Sequence, residues 1–126
     1  MTILIVDDDI DDLEIFTEAV KTISTQINCI RALDGAEAMQ MLDNINPDII
    51  FLDINMPGMN GAECLSLIKK NEEFKNLPVV VYSTSPDMID FGQYEGLNVC
   101  CLKKDVSYLN TVISIKRILN DLKMIS

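Results

Sequence analysis

Short apolar runs alternate along the chain with longer stretches of helical periodicity. The runs are residues 3–6, 49–52, 79–82 and 99–102, and they read as strands buried on both faces. Asn28–Ala32 alternates more and carries Arg31, which predicts an edge strand with one wetter face. Between the strands, Leu13, Phe16, Val20 and Ile23 recur at spacings of three and four, one face of a helix. Asp34-Gly-Ala-Glu37 resembles a capping box that opens a second helix through Met39, Met41 and Leu42. Residues 62–70 give a third helix through Leu65 and Ile68. Residues 86–95 give a short fourth, interrupted by Gly92, and Leu109, Val112, Ile115, Leu119 and Leu122 mark a long fifth. Strands separated by helices run parallel with right-handed crossovers, so five β-α repeats predict a doubly wound α/β sheet covered by helices on both faces.

Ligands of an open parallel sheet bind beyond the carboxyl ends of its strands. Asp7, Asp8 and Asp9 follow the first run, Asp53 the third strand, Ser83 and Thr84 the fourth, and Lys103 and Lys104 the fifth. One rim thus collects carboxylates, a hydroxyl and an ammonium. Two carboxylates ~5 Å apart at an effective dielectric of ~20 repel by about 3 kcal/mol, so a fold keeps such a cluster when something positive binds there. Oxygen donors without His or Cys favour a hard ion, and Mg²⁺ takes one or two carboxylates, waters and a phosphate. Asp53 is the natural nucleophile, because carboxylates form aspartyl-phosphates. Mg²⁺ and Lys103 would stabilise the oxygens of a transferring phosphoryl group, and Ser83 would hydrogen-bond one of them. Asp9, Asp11 and Asp12 suit the start of a helix.

Composition narrows the partners. The chain has 126 residues, enough for one domain with a full core, and a net charge of −10, which argues against direct binding to nucleic acid or anionic lipid. No apolar run approaches the ~20 residues of a membrane span, and no secretory signal is visible, so a cytoplasmic location is expected. The four cysteines (Cys29, Cys64, Cys100, Cys101) lack metal-site spacing and read as reduced thiols. There is no histidine, so any phosphohistidine in this chemistry must come from a partner. Ile113, Ile118 and Met124 are candidates for an apolar patch on the last helix.

Ile3-Leu-Ile-Val-Asp-Asp-Asp9, Phe51-Leu-Asp-Ile-Asn-Met-Pro-Gly-Met-Asn-Gly61, Pro78-Val-Val-Val-Tyr-Ser83 and Leu102-Lys103 resemble the receiver domain of two-component response regulators. The resemblance runs over essentially the whole chain, residues 1–126, with no effector domain. It implies a flavodoxin-like five-stranded sheet in the order 2-1-3-4-5. It implies Asp53 as phosphoacceptor and Mg²⁺ bound by Asp8, by Asp7, by Asp53 and by the backbone carbonyl of Asn55. Lys103 would pair with the phosphoryl group and Ser83 would be the switch hydroxyl. The donor would be a histidine kinase or a histidine phosphotransfer protein, and the output a downstream protein target or a phosphorelay, from a monomer or weak dimer. The chain would catalyse only its own phosphorylation and dephosphorylation.

Three positions depart from the family pattern. Cys100 takes the place of the usual aromatic residue of the fifth strand. Lys104 takes the place of proline after the lysine, so a trans bond is expected there. The fourth helix is short. The sequence leaves two alternatives open: a degenerate receiver acting as a phosphorylation-independent binding module, and an aspartyl-phosphate phosphatase. Asn55 weighs against the latter, since such enzymes usually carry a second Asp two residues after the nucleophile. A flavin carrier on the same fold would want a Ser/Thr/Gly loop where this chain has acids.

Overall fold

A computed structural model of the chain describes residues 1–56, 61–84 and 89–125. The elements are β1 (Thr2–Val6), α1 (Ile10–Ile23), β2 (Asn28–Ala32), α2 (Gly35–Leu42), β3 (Ile49–Leu52), α3 (Gly61–Lys70), β4 (Val79–Ser83), a 3₁₀ turn (Phe91–Tyr94), β5 (Val99–Lys103) and α4 (Tyr108–Asp121). The five strands lie in the order β2-β1-β3-β4-β5, and every pairing is parallel. This is the doubly wound sheet expected from the alternation, in the strand order the family resemblance implied.

Alternation along each strand splits the interior into two layers. Leu4, Val6, Ile50, Leu52, Val79 and Val81 point to one face, where Ala38, Leu42, Cys64, Leu65 and Ile68 of α2 and α3 cover them. Ile3, Ile5, Ile49, Phe51, Val80 and Tyr82 point to the other, against Leu13, Phe16 and Val20 of α1 and Ile115 and Leu119 of α4. Phe16, Phe51 and Tyr82 form an aromatic cluster there, with ring centroids 4.8 to 6.3 Å apart. Such pairs contribute about 0.5–1.5 kcal/mol beyond the area they bury.

Helix starts follow the local sequence. The Asp9 carboxylate caps α1 by accepting from the N–H groups of Asp11 and Asp12, and that of Asp34 caps α2 by accepting from Glu37. At the far end of α3, Lys69 is 5% exposed and its ammonium donates to the carbonyls of Lys75 and Leu77. It thereby ties the helix to the segment that feeds β4. Burial pulls the Lys69 ammonium down to about 8.

Three expectations change. Of the fourth helical pattern, read over residues 86–95, the described residues 89–95 form the 3₁₀ turn Phe91–Tyr94, and residues 85–88 lie outside the described residues. Gly96 at φ +82° and Asn98 at φ +58° then turn the chain into β5, which a continuing helix could not allow. Residues 99–102, read as buried on both faces, form the second edge strand, with Cys101 and Lys103 exposed. Of the proposed patch on the last helix, Ile118 and Met124 pack against the α1/α4 layer and Ile113 stays exposed. Among the described residues there is no cis peptide bond, so Lys103–Lys104 is trans as expected. No helix among them is long and apolar enough to cross a membrane.

Candidate functional site

The backbone delivers the acids to one rim. The Asp7 N–H donates to the Ala32 carbonyl at 3.0 Å and the Asp53 N–H to the Val6 carbonyl at 2.9 Å. Both residues therefore continue the sheet ladder one step past their strands, and their side chains emerge at its carboxyl edge. Asp7 and Asp53 are buried and Asp8 is exposed, and one oxygen from each lies within 4.8 Å of the others. One oxygen of each buried acid is engaged locally: Asp7 Oδ1 accepts from the Asp9 N–H at 3.0 Å, and Asp53 Oδ1 from the Asn55 N–H at 3.2 Å. An all-oxygen cluster of this kind fits a hard divalent cation.

Lys104, not Lys103, is the lysine at the carboxylates. Its ammonium lies 2.6 Å from Asp7 Oδ2, 2.9 Å from Asp12 Oδ2 and 3.4 Å from Asp53 Oδ2. Strand parity is the reason. Cys100 and Leu102 pack into the α1/α4 layer, and Lys104 continues that face, while Lys103 falls on the opposite side and is exposed. The Lys104 N–H donates to the Ser83 carbonyl at 2.9 Å, which fixes the end of β5. Its ammonium crosses the Tyr82 ring, 5.4 Å from the centroid, on its way to the acids. The same parity gives Cys100 an inward place beneath α1 and α4 and leaves Cys101 exposed.

Charge and burial compete in this pocket. Desolvation raises the Asp7 carboxyl to about 6, although the Lys104 ammonium and the Asp9 N–H both favour its ionised form. Desolvation works against the Lys104 charge too. The hydrogen bonds to Asp7 and Asp12 and the charges of Asp7 and Asp53 outweigh it and hold the ammonium above the ordinary lysine range.

Ser83 ends β4 fully buried, and its Oγ accepts from Asn55 Nδ2 at 3.4 Å; Thr84, the competing hydroxyl, is exposed. Gly61 opens α3 directly beneath the acids. A Cβ there would stand 2.2 Å from the Asp53 carbonyl oxygen and 2.3 Å from the Ile54 Cα, so only glycine lets the helix start against the loop that carries Asp53. Pro57, Gly58, Met59 and Asn60 of the same motif lie outside the described residues.

Asp7, Asp8, Asp53, Asn55 and Ser83 therefore converge, and Lys103 does not join them. Lys104 and Asp12 are the residues that sequence reasoning missed. The inward alternation of Cys100 and Leu102 was the available signal for Lys104. Asp12 carried none, because Asp9, Asp11 and Asp12 all suit a helix start.

The model of the response regulator receiver domain matches residues 3–107. The chain is 35% identical over 83 residues to Protein PilG of Pseudomonas aeruginosa, covering 64% of this chain and 62% of that one. It thus spans less than two thirds of PilG. It is 36% identical over 106 residues to response regulator Rcp1 of Synechocystis, covering 79% of this chain and 72% of Rcp1. The Mn²⁺-bound form of Rcp1 superposes with a TM-score of 0.78 at 31% identity, over 94% of this chain and 91% of that one. The phosphorylated cyanobacterial phytochrome response regulator RcpA gives 0.82 at 29% identity, over 99% and 96%.

Proposed function

We propose a function from one premise, that the chain belongs to the response regulator receiver domain family. Asp53 accepts a phosphoryl group from a phosphohistidine on a histidine kinase or phosphotransfer protein, and the phosphorylated chain signals by altered protein binding or by passing the group on. The observation that carries this reading is the position of Asp53: buried, with Oδ2 3.4 Å from the Lys104 ammonium, in a group of three carboxylates within 4.8 Å.

In the transfer, an Asp53 carboxylate oxygen forms a bond to phosphorus as the phosphorus–nitrogen bond to the donor imidazole breaks. The imidazole keeps the electron pair and takes up a proton from solvent. The Lys104 ammonium balances charge on the phosphoryl oxygens, and the Ser83 hydroxyl donates to one of them. Asp7, Asp8, Asp53 and the Asn55 carbonyl would hold Mg²⁺, which when bound supplies the positive charge that lets an anionic group approach an anionic pocket. A cavity lined by Asp12, Ile15, Thr84, Lys104, Asp105 and Val106 adjoins the Lys104 side of the acids, and Ile15 and Val106 give it apolar contacts for a protein-borne donor.

Intact-mass spectrometry after incubation with acetyl phosphate tests the reading, with and without Mg²⁺, on the natural chain and on Asp53→Asn. The expected result is a Mg²⁺-dependent gain of one phosphoryl group that the substitution abolishes. No gain under any condition, with Mg²⁺ binding shown separately, would point to a phosphorylation-independent binding module.

A further inference from the structure

The Lys104 ammonium has three N–H bonds and three carboxylate partners, and these partners are not equivalent. Asp7 and Asp53 belong to the group whose oxygens converge for a cation; Asp12 does not. A divalent cation held by that group draws on two of the three anions that hold the lysine. Cation and ammonium then compete for Asp7 and Asp53, and they repel each other across the same few ångströms. Asp12 is outside that contest. It stands in the first turn of α1, where its own N–H donates to the Asp9 cap at 3.2 Å, so a rigid element fixes its position.

We propose that Asp12 is a positioning residue: the standing anchor that keeps the Lys104 ammonium beside the pocket when a divalent cation takes over Asp7 and Asp53. This rests on the cation-binding, phosphoacceptor reading above and adds one residue to it. Without Asp12, the ammonium falls back on Asp7 and Asp53 and opposes the cation. With Asp12, it swings to the α1 side and stays within reach of an incoming phosphoryl group. The first turn of α1 thereby becomes part of the site.

The test is a calorimetric titration of the full chain with Mg²⁺ for four forms: natural, Asp12→Asn, Lys104→Met and the double variant. Asp12→Asn is expected to weaken Mg²⁺ binding several-fold in the natural background and to have little effect in the Lys104→Met background. A carboxylate acting through its field alone would weaken binding by the same factor in both, and that outcome overturns the anchor role while leaving the cation site standing. Absence of Mg²⁺ binding by the natural chain overturns the cation site and the anchor together. A second measurement needs no Lys104 variant. In Mg²⁺-saturated natural protein, the Lys104 ammonium is expected to give a slowly exchanging NH₃⁺ signal by ¹⁵N NMR, which Asp12→Asn loses and Asp12→Glu regains in part. A signal unchanged by Asp12→Asn overturns the proposal.

Discussion

Replacing Lys104 with methionine keeps the stem over Tyr82 and deletes the charge that three carboxylates share. The cost in metal-free buffer at pH 7 follows from how deeply each partner is buried. Side-chain exposure is 1% for Asp7, 7% for Asp53, 36% for Asp12 and 11% for Lys104. The contact to Asp12 is screened by solvent and contributes little, below about 1 kcal/mol. The contacts to Asp7 and Asp53 are charge-assisted hydrogen bonds from a buried ammonium, each about 1.5–3 kcal/mol. Two effects reduce the loss. The desolvation of Lys104 itself is recovered. Asp7, already raised to about 6 by burial, also loses the Lys104 hydrogen bond and charge that favour its ionised form, so it takes up a proton more readily at pH 7. The net expectation is about 3 kcal/mol, which lowers the melting temperature by ~10 °C for a domain of this size. Lys103→Met, on an exposed side chain, should stay within about 0.5 kcal/mol. Urea unfolding in EDTA measures both. Adding Mg²⁺ should return much of the loss in Lys104→Met, because the added cation meets the carboxylates that the ammonium abandoned. If Lys103→Met were the costly substitution and Lys104→Met nearly silent, the strand-parity argument that puts Lys104 in the pocket would be refuted.

Three further outcomes are expected. Asp8→Asn removes one of three converging charges and should stabilise the metal-free chain by roughly 1 kcal/mol while weakening Mg²⁺ binding; thermal melts in EDTA that show no gain would contradict the repulsion. Gly61→Ala sets a Cβ 2.2 Å from the Asp53 carbonyl oxygen and should cost at least about 2 kcal/mol and slow phosphorylation by acetyl phosphate; an unfolding midpoint equal to the natural one would sink the close-approach argument. Lys69 has its folded-state value lowered from 10.5 to about 8. From about pH 8 to 10.5 the unfolded chain therefore holds a proton that the folded chain has lost, and this contribution to stability grows as pH rises and is lost as pH falls through 8. The stability difference between the natural chain and Lys69→Met, from urea unfolding between pH 7.5 and 10, should increase with pH; a flat difference would exclude the titration.

Much of the fold was legible because two periods dominate the sequence. Alternating and continuous apolar runs separated by helical spacing leave few architectures open, and the capping residues Asp9 and Asp34 mark helix starts chemically. The strand order came from the family resemblance, since no local pattern says which strands are neighbours. Positions at strand ends were legible for Asp7, Asp8, Asp53 and Ser83, because each directly follows or closes an apolar run. The lysine was misread by one residue, for a reason particular to β5. As an edge strand it buries only part of its surface, so Cys100, Cys101 and Leu102 look equally apolar in sequence while their faces differ. A shift of one residue moves every side chain to the other face. Asp12 was hidden in a run of acids whose ordinary explanation, helix capping, is correct for Asp9.

The sheet keeps the two halves of the interior from touching, and this bears on descent as well as on folding. Substitutions beneath α2 and α3 and substitutions beneath α1 and α4 are expected to add where the sites lie far apart and share no partner. Changes on either face must still spare the residues that reach the rim from it, Asp12 and Lys104 on the α1/α4 side and Gly61 at the start of α3.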